Sequence, residues 1–199
     1  MKSRLVSTAV TAVIAGALVL TAAAPASATI HPPQGTIVDV AVAASGGGTP
    51  DADSKDYDIL VQAVLATGLA PVLSDTSTKF TVFAPNDRAF MRLVEDLTGT
   101  HPASEAEALT TITTALTVDQ IKNVLLYHVV SGKSLGAVKV LFSRSLTMAN
   151  GGEIKPRGIT LRDQNPAFTD PRLDVRGLNI GASNGIIHTI NRVLLPATI

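Results

Sequence analysis

Up to about residue 128, most apolar residues recur at helical spacing; beyond it they fall into short runs separated by Gly and Pro. Thr36 precedes Ile37, Val38, Val40 and Ala41 and is placed to cap a first helix, with Asp39 in its first turn. Ile59, Leu60, Ala63, Val64 and Leu65 predict a second helix, with Asp58 as its cap and Gly68 as its stop. The period changes in the middle of residues 80–90. Phe80-Thr81-Val82-Phe83-Ala84 reads as a strand, Pro85 sets its exit, and Asn86 caps a helix that carries Asp87 at its start. Ala89, Phe90, Leu93, Val94 and Leu97 form the buried stripe of that helix, which Gly99 ends. Residues 103–117 are rich in Ala, Glu and Thr and predict a loosely packed helix or loop. Thr117 and Gln120 then fit a capping box, opening a helix whose inner face is Val118, Ile121, Val124 and Leu125.

The C-terminal part predicts strands at 145–148, 153–155, 159–163, 173–175, 179–180 and 186–195. The last follows Asn184-Gly185, read as the two positive-φ positions of a tight hairpin turn, and is closed by Pro196, which has no N–H for the ladder. Helices followed by strands imply an α+β fold. Residues 45–56, SGGGTPDADSKD, hold no large apolar anchor and read as a mobile surface loop.

Three segments carry a family resemblance: FTVFAPNDRAF at 80–90, LLYHVV at 125–130 and the closing NGIIHTINRVLLP at 184–196. In this order and at these separations they resemble the fasciclin domain, over roughly residues 36–196, with 45–56 as an insertion. The resemblance implies helices packed at one end of a wedge of two small β-sheets. It also implies a non-enzymatic adhesion or interaction module of the cell surface or extracellular matrix. By the same resemblance, Asp87 and the pair Tyr127-His128 stand where family members make adhesive or receptor contacts. Two positions depart from the pattern, Asn86 in place of Thr and Asn191 in place of Asp. Asn86 keeps the capping oxygen, whereas Asn191 loses a carboxylate.

Composition and charge add the setting. Lys2 and Arg4 precede an apolar run from Val10 to Leu20 and then Ala26-Ser27-Ala28, which predicts a secretory signal peptide over 1–28 with cleavage after Ala28. A short linker, 29–35, and a tail, 197–199, flank the domain. The chain has no cysteine, so an exported form is held by its core alone. About 170 residues at 46% apolar composition suffice for that. No integral membrane span is expected in the mature form. Residues 29–132 hold five Lys/Arg against twelve Asp/Glu, and residues 133–199 nine against four, so the mature halves have opposite signs. That polarity suits orientation on a charged extracellular partner, a protein or a wall or matrix glycan. Basic residues scattered among strands with few aromatics argue against nucleic acid.

Enzymatic chemistry has little foothold. The chain lacks G-x-S-x-G, H-E-x-x-H, a P-loop and a dinucleotide fingerprint, and His128, His188 and Asp87 make no active site without a nucleophile and a cleft. Tyr127 and His128 at a helix-to-strand junction favour buried rings with satisfied polar tips. His188 is expected to project with Ile186 and Ile190 into partly apolar surroundings. No cofactor is expected. The alternative function is an extracellular carrier of a small ligand or of Cu(II)/Ni(II). Cleavage after Ala28 would place His31 third in Thr29-Ile30-His31, where the terminal amine, two amide nitrogens and the imidazole complete a square plane.

Overall fold

The computed structural model describes residues 35–197. The predicted signal peptide, most of the linker, Thr29-Ile30-His31 and the last two tail residues lie outside the described residues. Among the described residues, no helix is long and apolar enough to cross a membrane.

Helices dominate the first part: α1 (Ile37–Ala44), α2 (Asp58–Ala66), the short α3 (Ala70–Leu73), α4 (Asp87–Thr98), α5 (Glu105–Ala115) and α6 (Val118–Leu126), with strand β1 (Phe80–Pro85) between α3 and α4. After them come β2 (Val129–Ser131), α7 (Ala137–Leu141), β3 (Leu146–Thr147), β4 (Glu153–Arg157), β5 (Thr160–Arg162), β6 (Ile180–Ala182) and β7 (Gly185–Ile190). The fold is α+β with two small sheets, ordered β2-β1-β7-β6 and β3-β4-β5.

Local caps explain most helix starts. Thr36 and Asp39 close a capping box on α1, Asn86 accepts from the Ala89 N–H at 3.0 Å, and Thr117 and Gln120 close a second box on α6. Residues 103–117 are a helix rather than a loop, capped by Ser104 and anchored by buried Ala108 and Ile112. Asp58 is not the cap of α2. Tyr57 occupies that position without a side-chain bond, and the orphan amides are met from elsewhere in the chain. Three residues placed on core-facing helix stripes are exposed instead, Leu65 at 54%, Leu97 at 43% and Val118 at 56%.

The larger sheet is covered on both faces, which is why all six residues of β1 are buried. Strand alternation sends Phe80, Val82 and Ala84 into a core shared with the helices, and Phe83 into a second core with Val140, Ile154 and Leu161 from α7 and the smaller sheet. β1 and β7 pair in parallel over their full six residues, from Phe80 opposite Gly185 to Pro85 opposite Ile190.

Several expectations about the C-terminal part are corrected. The final strand ends at Ile190, not Leu195, because Asn191 leaves the ladder and exchanges bonds with Arg172 through its backbone N–H and side-chain oxygen. Val193 and Leu195 then fill the first core and Leu194 the second, so this apolar run packs without pairing, and Pro196 ends no ladder. Asn184 and Gly185 do not take positive φ. Ala182 pairs with Gly185, so Ser183-Asn184 form the turn. The Asn184 side chain is buried, accepting from the Ile37 N–H at 2.9 Å and donating to the Leu73 carbonyl at 2.7 Å. Gly185 is needed for close approach, since a Cβ there would overlap the Phe80 carbonyl oxygen. Residues 173–175 are not a strand: Leu173 makes a single bridge to Ile190, and Val175–Gly177 form a 3-10 turn.

The segment 45–56 is tied down rather than free. Ser45 is buried and its hydroxyl accepts from the Tyr57 N–H, Gln62 donates to the Gly48 carbonyl, and the Ser54 and Asp56 carbonyls accept from the Arg88 and Asp87 N–H groups. Its polar composition reflects backbone and carboxylate bonding, with no large apolar anchor required.

Candidate functional site

Asp87, the first residue of α4, is fully buried. Its Oδ2 accepts from the Asp58 N–H at 3.0 Å and its Oδ1 from the Ile59 N–H at 2.8 Å, so it caps α2 from 29 residues away. Burial pushes its carboxyl up to about 8, and the neighbouring Asp56 carboxyl adds to the rise against the pull of the two amides. Glu105 and Asp56 lie with it in one acidic group. These carboxylates were not legible as a site, because 45–56 read as a loose loop; the run Asp51, Asp53, Asp56, Asp58 was the available signal.

Tyr127 and His128 also face inward. Tyr127 is fully buried in the second core, and its hydroxyl donates to the Glu153 carbonyl at 2.8 Å, tying the end of α6 to β4. Burial raises its phenol, with Asp163 adding to the effect. His128 is 2% exposed. Its Nδ1 donates to the Val124 carbonyl at 2.7 Å, and its Nε2 accepts from the Leu194 N–H at 2.9 Å. Desolvation lowers its pKa to about 4, so the ring is neutral. His188 projects from β7 on the Ile190 side of the sheet, stacks obliquely on Phe83 and is neutral for the same reason. Its Nε2 donates to the Leu135 carbonyl and its Nδ1 accepts from the Asn179 N–H. Each imidazole is thus spent on backbone groups, and neither is hydrogen-bonded to Asp87.

Charge of the other sign collects on the smaller sheet. Along β4, Ile154 and Pro156 point inward while Glu153, Lys155 and Arg157 face out; along β5, Leu161 is buried and Arg162 exposed. Register sets Lys155 opposite Arg162 and Arg157 opposite Thr160, and a bridge places Arg172 beside Thr160. Lys155, Arg157, Arg162 and Arg172 therefore share one outer face, on which, among the described residues, only Lys155 has an acidic partner, Glu153 at 3.7 Å. Like charges across a ladder destabilise it, so this face carries a local cost. Two apolar cavities in the helical layer measure about 40 and 50 Å³, small beside the roughly 300–1,000 Å³ of a small-molecule site, while two polar clefts open to solvent measure about 620 Å³ beside Asp51, Arg88 and Glu105 and about 350 Å³ beside Lys155, Arg157 and Arg162.

Comparison with known proteins follows the same lines. The family model described as Fasciclin domain matches residues 55–196. Protein sll1483 of Synechocystis sp. is 32% identical over 161 residues, covering 81% of this chain and 73% of that protein. The uncharacterized protein sll1735 of the same organism is 34% identical over 140 residues, covering 70% and 89%. Transforming growth factor-beta-induced protein ig-h3 of Sus scrofa is 29% identical over 172 residues, which span 84% of this chain and 20% of ig-h3. A FAS1 domain pair from the insect cell adhesion molecule Fasciclin I shares the fold with TM-score 0.57 at 15% identity, over 82% of this chain and 51% of that one. The family match over most of the described residues, on an architecture shared with a FAS1 pair, makes this chain a member of the fasciclin-domain family of adhesion and interaction modules.

Proposed function

We propose that the protein is a secreted, non-enzymatic interaction module that attaches to anionic polymer of the cell wall or extracellular matrix through the outer face of β4 and β5. The observation that carries this reading is the array of Lys155, Arg157, Arg162 and Arg172 on one exposed face. A fold tolerates clustered like charge at a cost, and an anionic partner removes it. The signal-peptide pattern over 1–28 supplies the route to that partner. Asp87, Tyr127 and His128 serve this function from inside: they hold α2, β4 and the 191–197 segment in place, and contact with a partner belongs to the surface they support. The small-ligand carrier reading draws no support from the apolar cavities of about 40 and 50 Å³, and the larger clefts of about 620 and 350 Å³ are polar and open to solvent.

Retention of the purified protein on isolated wall and matrix fractions of the producing cells, followed across a salt series, tests the proposal. Saturable retention that weakens as salt shortens the screening length is the expected result. Retention indifferent to salt, or none at low salt, contradicts it.

A further inference from the structure

Three helices of this domain begin with a carboxylate: Asp58 opens α2, Asp87 opens α4 and Glu105 opens α5. Asp51 and Asp56 reach the same place from the preceding segment. One oxygen from each of Asp51, Asp56 and Asp58 lies within 4.8 Å of the others, and the same holds for Asp56, Asp87 and Glu105, so Asp56 joins the two groups. Asp58 and Asp87 are fully buried and Glu105 is 2% exposed, whereas Asp51 faces solvent.

The hydrogen-bond inventory is uneven. Asp87 spends both oxygens on the α2 amides, and Glu105 Oε2 accepts from the Asp51 N–H at 2.9 Å. Among the described residues, Asp58 keeps both carboxylate oxygens buried with no hydrogen-bond partner, and Asp56 keeps one. Among the described residues, none of the five carboxylates has a Lys, Arg or His within ion-pair distance. An unpartnered, fully buried aspartate aimed into the group marks where a counter-charge belongs.

We propose that Asp51, Asp56 and Asp58 bind a hard divalent cation, Ca²⁺ in preference to Mg²⁺, with Asp87 and Glu105 packed behind it. The donor set is all oxygen, without His or Cys, which selects hard cations over zinc or copper. Three carboxylates in an irregular arrangement, completed by carbonyl or water oxygens, suit the six to eight flexible oxygen ligands of Ca²⁺ better than the strict octahedron of Mg²⁺. Exposed Asp51 gives the ion its entrance. Once bound, the ion ties the 49–56 segment to the starts of α2, α4 and α5, so occupancy and stability are linked. This site is independent of the basic face.

Calorimetric titration of the chelator-treated chain with CaCl₂ and, separately, MgCl₂ at neutral pH tests the site. The expected result is one equivalent of Ca²⁺, with Kd near the roughly 10⁻⁴–10⁻³ M of extracellular calcium modules. Ca²⁺ also raises Tm by a few degrees. Asp58→Asn, which breaks no hydrogen bond of the described structure, lowers the affinity tenfold or more and abolishes the Tm response while leaving the chelated protein at least as stable. Should that variant fail to fold, exposed Asp51→Asn shows the same loss of affinity. No heat and no Tm change at about 10 mM Ca²⁺ overturns the proposal. So does a response undiminished in either folded variant, and binding of Mg²⁺ alone overturns the calcium preference.

Discussion

At Asp87, two amides of another helix depend on one carboxylate, and removing it leaves the Asp58 and Ile59 N–H groups buried without partners. Asp87→Ala is expected to cost about 2–4 kcal/mol in urea unfolding, and Asp87→Asn, which keeps one acceptor, less. His128 sets a pH dependence of definite sign. Its folded pKa lies near 4 against an ordinary 6.5, so the unfolded chain binds the extra proton between those values. Its contribution is full above pH 6.5 and is lost as pH falls toward 4, on the order of 3 kcal/mol in all. The buried acids respond in the opposite direction, so the measurable quantity is the difference between wild type and His128→Gln. Wild type should lose stability relative to the variant across pH 6.5 to 4, and parallel curves would refute this assignment. The caps at Thr36, Asn86 and Thr117 were legible because each bond closes within three residues. The α2 cap was not, because its acceptor comes from Asp87, far along the chain.

Among the elements, β7 decides the most. It lies between β1 and β6, and its parallel pairing with β1 joins segments more than a hundred residues apart. Alternation within residues 186–190 was visible in the sequence, and the direction His188 takes with Ile190 followed from it. Which strand it would join was not visible, nor that Val193, Leu194 and Leu195 would be buried without a ladder, since apolar residues look alike whether paired or merely packed. Gly185→Ala gives a direct check on the close approach at the β1–β7 edge. A methyl there overlaps the Phe80 carbonyl, and the variant should lose about 1–3 kcal/mol with its fold retained. Unchanged stability would show that the strands separate there at no cost. Short α3 and α7 left too little periodicity to be read, at four and five residues.

Over the whole domain, the sign change seen along the sequence follows the order of layers. The acidic half builds the helical layer with its buried carboxylates, and the smaller sheet on the opposite side of β1 and β7 carries Lys155, Arg157, Arg162 and Arg172. A domain with one basic face orients on an anionic surface before any specific contact forms. Weak individual sites of this kind gain from repetition, and several copies linked on one partner would hold far more tightly than one. The most direct measurement compares wild type, the double variant Arg157→Glu/Arg162→Glu and the single variant Lys122→Glu on the exposed side of α6 for binding to the same isolated wall and matrix fraction at low salt. Binding through the basic face predicts that the double variant loses tenfold or more in affinity, about 1.4 kcal/mol, while Lys122→Glu stays near wild type. Equal binding by all three proteins, each shown to be folded, would contradict it.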